Sequence, residues 1–434
     1  MAQADAAAFF RDAPPRVVIE IIRRLPARSV LRLRSVCKLL RDVASYQPLL
    51  AAVHLLHPPQ PLICFGRDAC PDRYIRLRDY CVEALHLHLR SDDMLLRPIL
   101  RFTDNEYYDF IDNIQGADAP PIYAFSKDHI IYYGEGEEAG GGGQGQHYPR
   151  ITVHASIDGL LLVSFINIWY ICNPATRQWV ALPDLSNCTV IGLYAHVSSG
   201  EYRVLVHTGQ DDGATWTRYY VLRVGAEEAR GIGRPIPPPA TLHAGSLGIG
   251  LDPVSLSPPV QLRRNLHWPP QERQGYHMLV FDTEAEVFSW MSSPDPIISS
   301  REGSMQLLEM GRKLAMSVSK VGRPTLELWR LEDYRNEIWV QIYRIRIPVM
   351  EIPDLHYIDW FPHVVSPQGD VLIECSNKLL LHCDRNGNLL RKFQFREEAP
   401  VVRHTLKETL LPHAIFLEPK IADGDVEPPF FEGL

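Results

Sequence analysis

Residues 326–345 read LELWRLEDYRNEIWVQIYRI. An apolar run meets a polar tetrad opened by Asp333, and a second apolar run carrying Trp339 follows, so the stretch predicts strand, turn, strand. The same shape recurs at 168–183 (IWYICNPATRQWVALP), 276–294 (YHMLVFDTEAEVFSWMSSP) and 377–395 (NKLLLHCDRNGNLLRKFQF). In the first of these Pro174 fixes φ and the Asn173 side chain can bond its own backbone; in the last, Asn386-Gly387 is a hairpin turn signal. RRNLHW (263–268), GRKLAMSV (311–318) and QGDVLIEC (368–375) precede these units and read as inner strands. The period is irregular, roughly 45 to 60 residues, and repeats of four short strands near that length indicate propeller blades. Counting strands gives six or seven blades. Further strand-like runs lie upstream at 61–66, 73–77, 84–90, 121–126 and 129–134.

Residues 14–53 have a different texture. Pro14 and Pro15 suit a first helical turn, and Val17, Val18, Ile21, Ile22 and Leu25 recur at helical steps. Pro26 stops that helix, because the residue before a proline is pushed out of the α region. Ser29 can cap a second helix that carries Val30, Leu33, Val36, Cys37, Leu40, Val43 and Ala44, and a third spans Pro48 to Val53. Leu31 and Leu39 lie off the main stripe, so the helices have apolar surface for the following domain or for another chain.

The charge is unevenly distributed. The chain carries −8 overall, yet residues 16–45 hold eight basic and two acidic side chains, a net +6 on a body at −14. Such a segment fits nucleic acid, a membrane surface or an acidic protein partner. The eight cysteines form no CxxC pair, which points to free thiols in a reducing compartment. The N-terminal stretch MAQADAAAFFRDAPP has no basic n-region, and the longest apolar run, Gly159 to Cys172, is shorter than the roughly 20 residues a membrane helix needs. These features place the protein in the cytoplasm, the nucleus or both.

The sharper chemical readings each meet a plainer one. His86 and His88 would share one face of a strand, but zinc wants tight ligand pairs, and a packed or solvated face explains them better. The Gly-rich run within 134–146 lacks the Lys-Ser or Lys-Thr ending of a phosphate loop and reads as a flexible insertion. No GxSxG or HExxH motif occurs, so no catalytic residue, metal or cofactor is assigned. Arg28, Arg32, Arg34, Lys38 and Arg41 are interleaved with apolar residues, which disfavours a phosphate-contacting role. Trp169, Trp179, Trp268, Trp290, Trp329, Trp339 and Trp360 come at blade-like spacing and read as blade core rather than a ligand platform.

The stretch PPRVVIEIIRRLPARSVLRLRSVCKLLRDVASYQPLL resembles an F-box through Pro14, Ile19, Ile22, Arg24-Leu25-Pro26, Ser29, Leu31, Leu33, Arg34, Val36-Cys37-Lys38, Arg41 and Pro48. It departs from the family pattern at Ala13 (usually Leu) and Leu40 (usually Trp). The body is similar to the F-box-associated domains of plants at 158–162, 172–183, 326–339 and 364–374. The resemblance implies a small all-α F-box of about three helices (12–53) and an all-β propeller-like domain (58–420), while residues 421–434 read on their own as a disordered tail. It implies a substrate-recognition subunit of an SCF-type cullin-RING ubiquitin ligase, with no catalysis of its own. A Skp-type adaptor would dock on Pro14, Ile19, Ile22, Leu25, Pro26, Leu33, Val36, Cys37 and Leu40, linking to cullin and RING subunits, while the β-domain holds a protein target. No cofactor, metal, nucleic acid or membrane is implied. A second reading stays open: a propeller scaffold whose F-box-like helices do not bind the adaptor.

Overall fold

LLLVSF at Leu160–Phe165 and IWYICN at Ile168–Asn173 bury almost every side chain, on both faces of the strand. Alternating side chains point to opposite faces of a sheet, so a strand with no wet face needs a sheet packed on either side. A ring of radially stacked sheets supplies that environment. The computed structural model describes residues 14–25, 27–36, 38–56, 59–68, 78–87, 96–103, 151–165, 168–208, 218–235, 258–270, 277–294, 303–320, 323–347, 361–366, 368–376, 378–395, 399, 401–417 and 431.

Among the described residues four helices come first: α1 (Pro15–Arg24), α2 (Ala27–Leu33), α3 (Lys38–Val43) and α4 (Gln47–Leu56). Six four-stranded antiparallel sheets follow. β1 (Gln60–Asp68), β2 (Arg78–Leu85) and β3 (Leu96–Thr103) are the outer strands of the first sheet. The second holds β4 (Thr152–Ile157), β5 (Leu160–Phe165), β6 (Ile168–Asn173) and β7 (Gln178–Leu182). The third holds β8 (Cys188–His196), β9 (Glu201–Thr208), β10 (Arg218–Arg223) and β11 (Arg230–Ile232). The fourth holds β12 (Val260–Leu262), β13 (Asn265–His267), β14 (Met278–Asp282) and β15 (Val287–Met291). The fifth holds β16 (Gly303–Met310), β17 (Lys313–Lys320), β18 (Arg323–Asp333) and β19 (Ile338–Arg346). The sixth holds β20 (Phe361–Val364), β21 (Val371–Ser376), β22 (Leu379–Cys383) and β23 (Leu389–Gln394). The last strand, β24 (Val401–Leu406), pairs with β1 and is the inner strand of the first sheet.

The apolar clusters show that the ring closes. Leu62, Val82 and Leu406 of the first sheet pack on Leu161, Tyr170 and Trp179 of the second. Successive clusters join the second to the third, the third to the fourth, the fourth to the fifth and the fifth to the sixth. Leu372 and Leu380 of the sixth then pack on Ile63, Cys81 and Leu85 of the first. The fold is therefore a six-bladed β-propeller.

Two turn chemistries write the repeat. The inner hairpins Asp158-Gly159, Arg263-Arg264 and Gly311-Arg312 each have positive φ at both turn residues, between 50° and 81°, as a two-residue type I′ turn requires. The outer hairpins open on a side chain that caps the turn. Asn173 Oδ1 accepts from the Ala175 and Thr176 amides (3.0 and 3.4 Å), Asp282 and Asp333 accept equivalent pairs, and Asp384 accepts from the Asn386 and Asn388 amides of a turn one residue longer. Three of these turns are completed by a non-glycine residue at positive φ: Arg177, Glu286 and Glu337. The Asp333 tetrad quoted above is one of the four.

Several expectations change. RRNLHW, GRKLAMSV and QGDVLIEC hold β13, β17 and most of β21, the second strands of their sheets; the innermost are β12, β16 and β20, of which β12 spans 3 residues and β20 spans 4. Strands β2 and β3 carry no alternation strong enough to stand out in sequence. β3 tolerates Pro98 because it is an outer-edge strand with a register shift beside it. The runs at 73–77, 121–126 and 129–134 and the Gly-rich segment lie outside the described residues. The tail was expected to be disordered, yet Phe431 is buried in the cluster between the first and second sheets. Trp169, Trp179 and Trp268 are buried as blade core, while Trp360 lies outside the described residues.

Phe431→Ala should lower the free energy of unfolding by about 3 kcal/mol, in the range for losing a buried phenylalanine, measured by urea denaturation.

Burial also lowers the pKa of five histidines among the described residues, His207 and His413 among them, and three of them strongly. His154 on β4 is held down to about 3, by desolvation and by His404, while burial holds His267 on β13 and His404 on β24 to about 4. Their unfolded value is about 6.5. Between pH 6.5 and 4 the unfolded chain therefore binds protons that the folded chain refuses. Stability should be full above pH 6.5 and fall steadily as pH drops towards 4, and thermal melts across that range check this.

Candidate functional site

The helical unit carries exposed apolar side chains around a packed core. Pro14 precedes α1 with φ −56° and ψ 139°, and a proline sits in its first turn, where the missing amide costs nothing. Leu25 ends α1 in extended conformation (φ −86°, ψ 141°), as the following proline dictates. The second expected helix is two: the amides of Arg34, Ser35 and Val36 each bond three residues back at 3.1 Å, which tightens the chain between α2 and α3. The helix α2 begins at Ala27, so Ser29 lies inside it and not at its cap.

Burial sorts the nine expected docking residues. Ile22 and Leu40 are fully enclosed at 0% exposure, packed with Val18, Val30, Leu49 and Leu50. They are core, a correction to their assignment as contact residues, because a side chain with no accessible surface cannot touch a partner. Leu40, the departure from the family pattern, therefore sits in the helical core. Ile19, Leu25 and Leu33 are half-buried against that core. Pro14 and Val36 are exposed, Val36 at 45%. Pro26 and Cys37 lie outside the described residues. Sequence reasoning missed Tyr46 and Leu55, exposed at 61% and 65%, and Val17, one of the residues of the helical apolar repeat, is exposed at 42%. A periodic stripe cannot say which of its rows faces inward.

The basic side chains divide likewise. Arg34 donates through Nε and Nη2 to the Ala44 carbonyl (3.1 and 3.0 Å), and Arg41 Nε donates to the Arg34 carbonyl (3.1 Å). These two arginines brace the turn between α2 and α3. Arg16, Arg32 and Lys38 are exposed.

The helices stand on the ring through residues 407–411, which continue directly from β24. Leu410 is buried in the helical core, with Leu411 and Ala175 packed against it. His54 Nδ1 donates to the Glu408 carbonyl (3.1 Å) and Lys407 Nζ to the Leu55 carbonyl (3.5 Å). On the ring side, the Glu408 carboxylate is buried and pairs with Arg97, and Asn173 Nδ2 donates to the Thr409 carbonyl (3.3 Å). Gly159 fits because any Cβ there would lie 2.5 Å from Thr409 Cγ2. A crevice of about 140 Å³ remains between Leu31 of α2 and Arg97, Pro174, Thr176 and Glu408. The Tyr202 hydroxyl lies 3.0 Å from His413 Nδ1, and Ile415 and Phe416 pack beside the second and third sheets.

Other clusters are structural. Glu286 accepts from the Tyr194 hydroxyl (2.8 Å) and Arg203 (2.6 Å) and also pairs with Arg230, and these donors hold its carboxyl below the usual range despite burial. That network ties the third sheet to the fourth. Among the described residues no group of three or more His, Cys, Asp or Glu side chains could hold a metal ion. His86 follows β2 in a turn, not on a strand, and His88 lies outside the described residues. Cys375 and Cys383 are free thiols that burial pushes up to about 12 and about 11, which makes them poor nucleophiles. No helix among the described residues is long and apolar enough to cross a membrane.

The structure thus consists of a small helical unit braced on a β-propeller. Residues 14–51 match the F-box domain family. The chain is similar to two Arabidopsis thaliana proteins. One is "F-box protein At5g49610", 20% identical across 87% of this chain and 90% of that protein. The other is "F-box protein At4g19940", 24% identical across 76% and 71%. The chain thus carries an F-box in front of a six-bladed propeller, and this combination supports a substrate-receptor role in general terms.

Ile22→Ala should cost about 3 kcal/mol of stability, whereas Val36→Asp, at an exposed position, should shift it by less than about 0.5 kcal/mol. Urea unfolding of the two variants beside the parent checks the division into core and surface.

Proposed function

We propose that the protein is the substrate-recognition subunit of an SCF-type cullin-RING ubiquitin ligase. A Skp-type adaptor docks on the F-box and links it to the cullin and RING subunits; the propeller holds a protein target. The observation that carries this reading is the F-box match over α1–α4 together with exposed apolar side chains, Pro14, Val17, Val36 and Tyr46, on that unit. Free water-facing apolar groups on a small basic unit suit a partner that covers them. Arg16, Arg32 and Lys38 favour an acidic adaptor surface, which speeds association more than it strengthens it. The receptor breaks no bonds. It raises the effective concentration of the target at the conjugating enzyme. Such a ligase acts in the cytoplasm, the nucleus or both.

The test is titration calorimetry of the full chain with a purified Skp-type adaptor. The parent should bind, and Val17→Asp and Val36→Asp should each weaken binding at least tenfold while melting at the parent's temperature. A folded parent that does not bind would make the helices a structural cap and leave the scaffold reading.

A further inference from the structure

The helical unit is joined to the ring covalently at one place, where three residues separate Leu56 from Gln60 in the sequence. The four Cα steps from Leu56 to Gln60 span at most about 14 Å, which limits how far the helices can stray. A second attachment away from the first fixes their angle as well. Residues 407–411 supply it, and they touch both bodies at once. Towards the helices they insert Leu410 into the core of α1–α4 and accept the His54 bond on the Glu408 carbonyl. Towards the ring they lock Glu408 against Arg97 of β3, hold the Thr409 carbonyl on Asn173, and rest on Gly159, the only residue type that fits under Thr409 without a shift. The Glu408 side chain is 2% exposed, so its ion pair with Arg97 is desolvated, and separating the two would strand a buried charge. The joint therefore resists rotation.

We propose that residues 407–411 are a positioning strap that sets the angle of the F-box on the propeller. A partner docked on the helices and a target held by the ring then meet at one geometry. Glu408, through Arg97, and Leu410, through the helical core, are its positioning residues. The consequence for ubiquitin transfer rests on the receptor reading; the mechanical role does not.

The test places fluorophores on the full chain through unnatural amino acids at Ser45, exposed in the helical unit, and Arg312, exposed at a hairpin tip of the fifth blade. This leaves the native thiols alone. Single-molecule energy transfer should give one narrow distance distribution in the parent. The Leu410→Ser/Leu411→Ser variant should broaden it at least twofold, and Glu408→Gln should broaden it measurably, with the ring's melting temperature kept. If the double variant fails to fold, Glu408→Gln decides the matter. Parental width in every folded variant would overturn the proposal. Affinity for a Skp-type adaptor, measured separately, should stay within twofold of the parent. Loss of adaptor binding by the parent itself would defeat the receptor reading while the distance measurement still judges the strap.

Discussion

The pairing of β24 with β1 holds the architecture together. Gln60 lies opposite Leu406, and Leu62 opposite Val402, residues some 340 positions apart in the chain. Without β24 the first sheet would lack its inner strand, and the open edge would present unpaired amides and carbonyls to solvent. The clusters on both flanks of that sheet would lose Leu406 on one side and Val401 on the other. Because the partners are so distant, closure waits until the whole chain is available, and the early blades must persist with an unfilled edge until then.

The same segment connects closure to function. On leaving β24 the chain passes between the ring and the helices, so the F-box has a floor only once the propeller has closed. Antiparallel order puts the type I′ and side-chain-capped hairpins on one rim, and the helices and strap sit on that rim. The strand ends joined by the longest stretches of sequence lie on the other. The helices and the segment that holds them therefore lie a blade's depth from that second rim. Among the described residues the conspicuous polar clusters are tied up in structural contacts. The Glu286 network is saturated by hydroxyl and guanidinium donors, and the buried thiols are pushed away from ionisation.

What could be read from the sequence was local. The outer hairpins announce themselves through Asn173, Asp282, Asp333 and Asp384, because a side chain that caps its own turn leaves a fixed residue at a fixed place. The end of α1 at Leu25 follows from steric rules around one proline. What escaped was non-local or short. A three-residue inner strand such as β12 has no period to detect. The role of β24 depends on a partner at the far end of the chain. Ile22 and Val36 are both apolar and both in register with a helical stripe, yet one is enclosed and the other is 45% exposed, a difference set by tertiary packing. Phe431 sits in an acidic, proline-containing tail whose composition points to disorder, and only the groove between two blades explains its burial.

Hydrogen exchange followed by mass spectrometry on the full chain tests the central claim most directly. If β24 closes the ring, amides of 401–406 should be protected as strongly as those of β1 and β5, and all three should open together as denaturant rises. If 401–406 exchange within seconds while β5 stays protected for hours, the ring is not closed by its C-terminal strand. The account of how the helices are held would then fail with it.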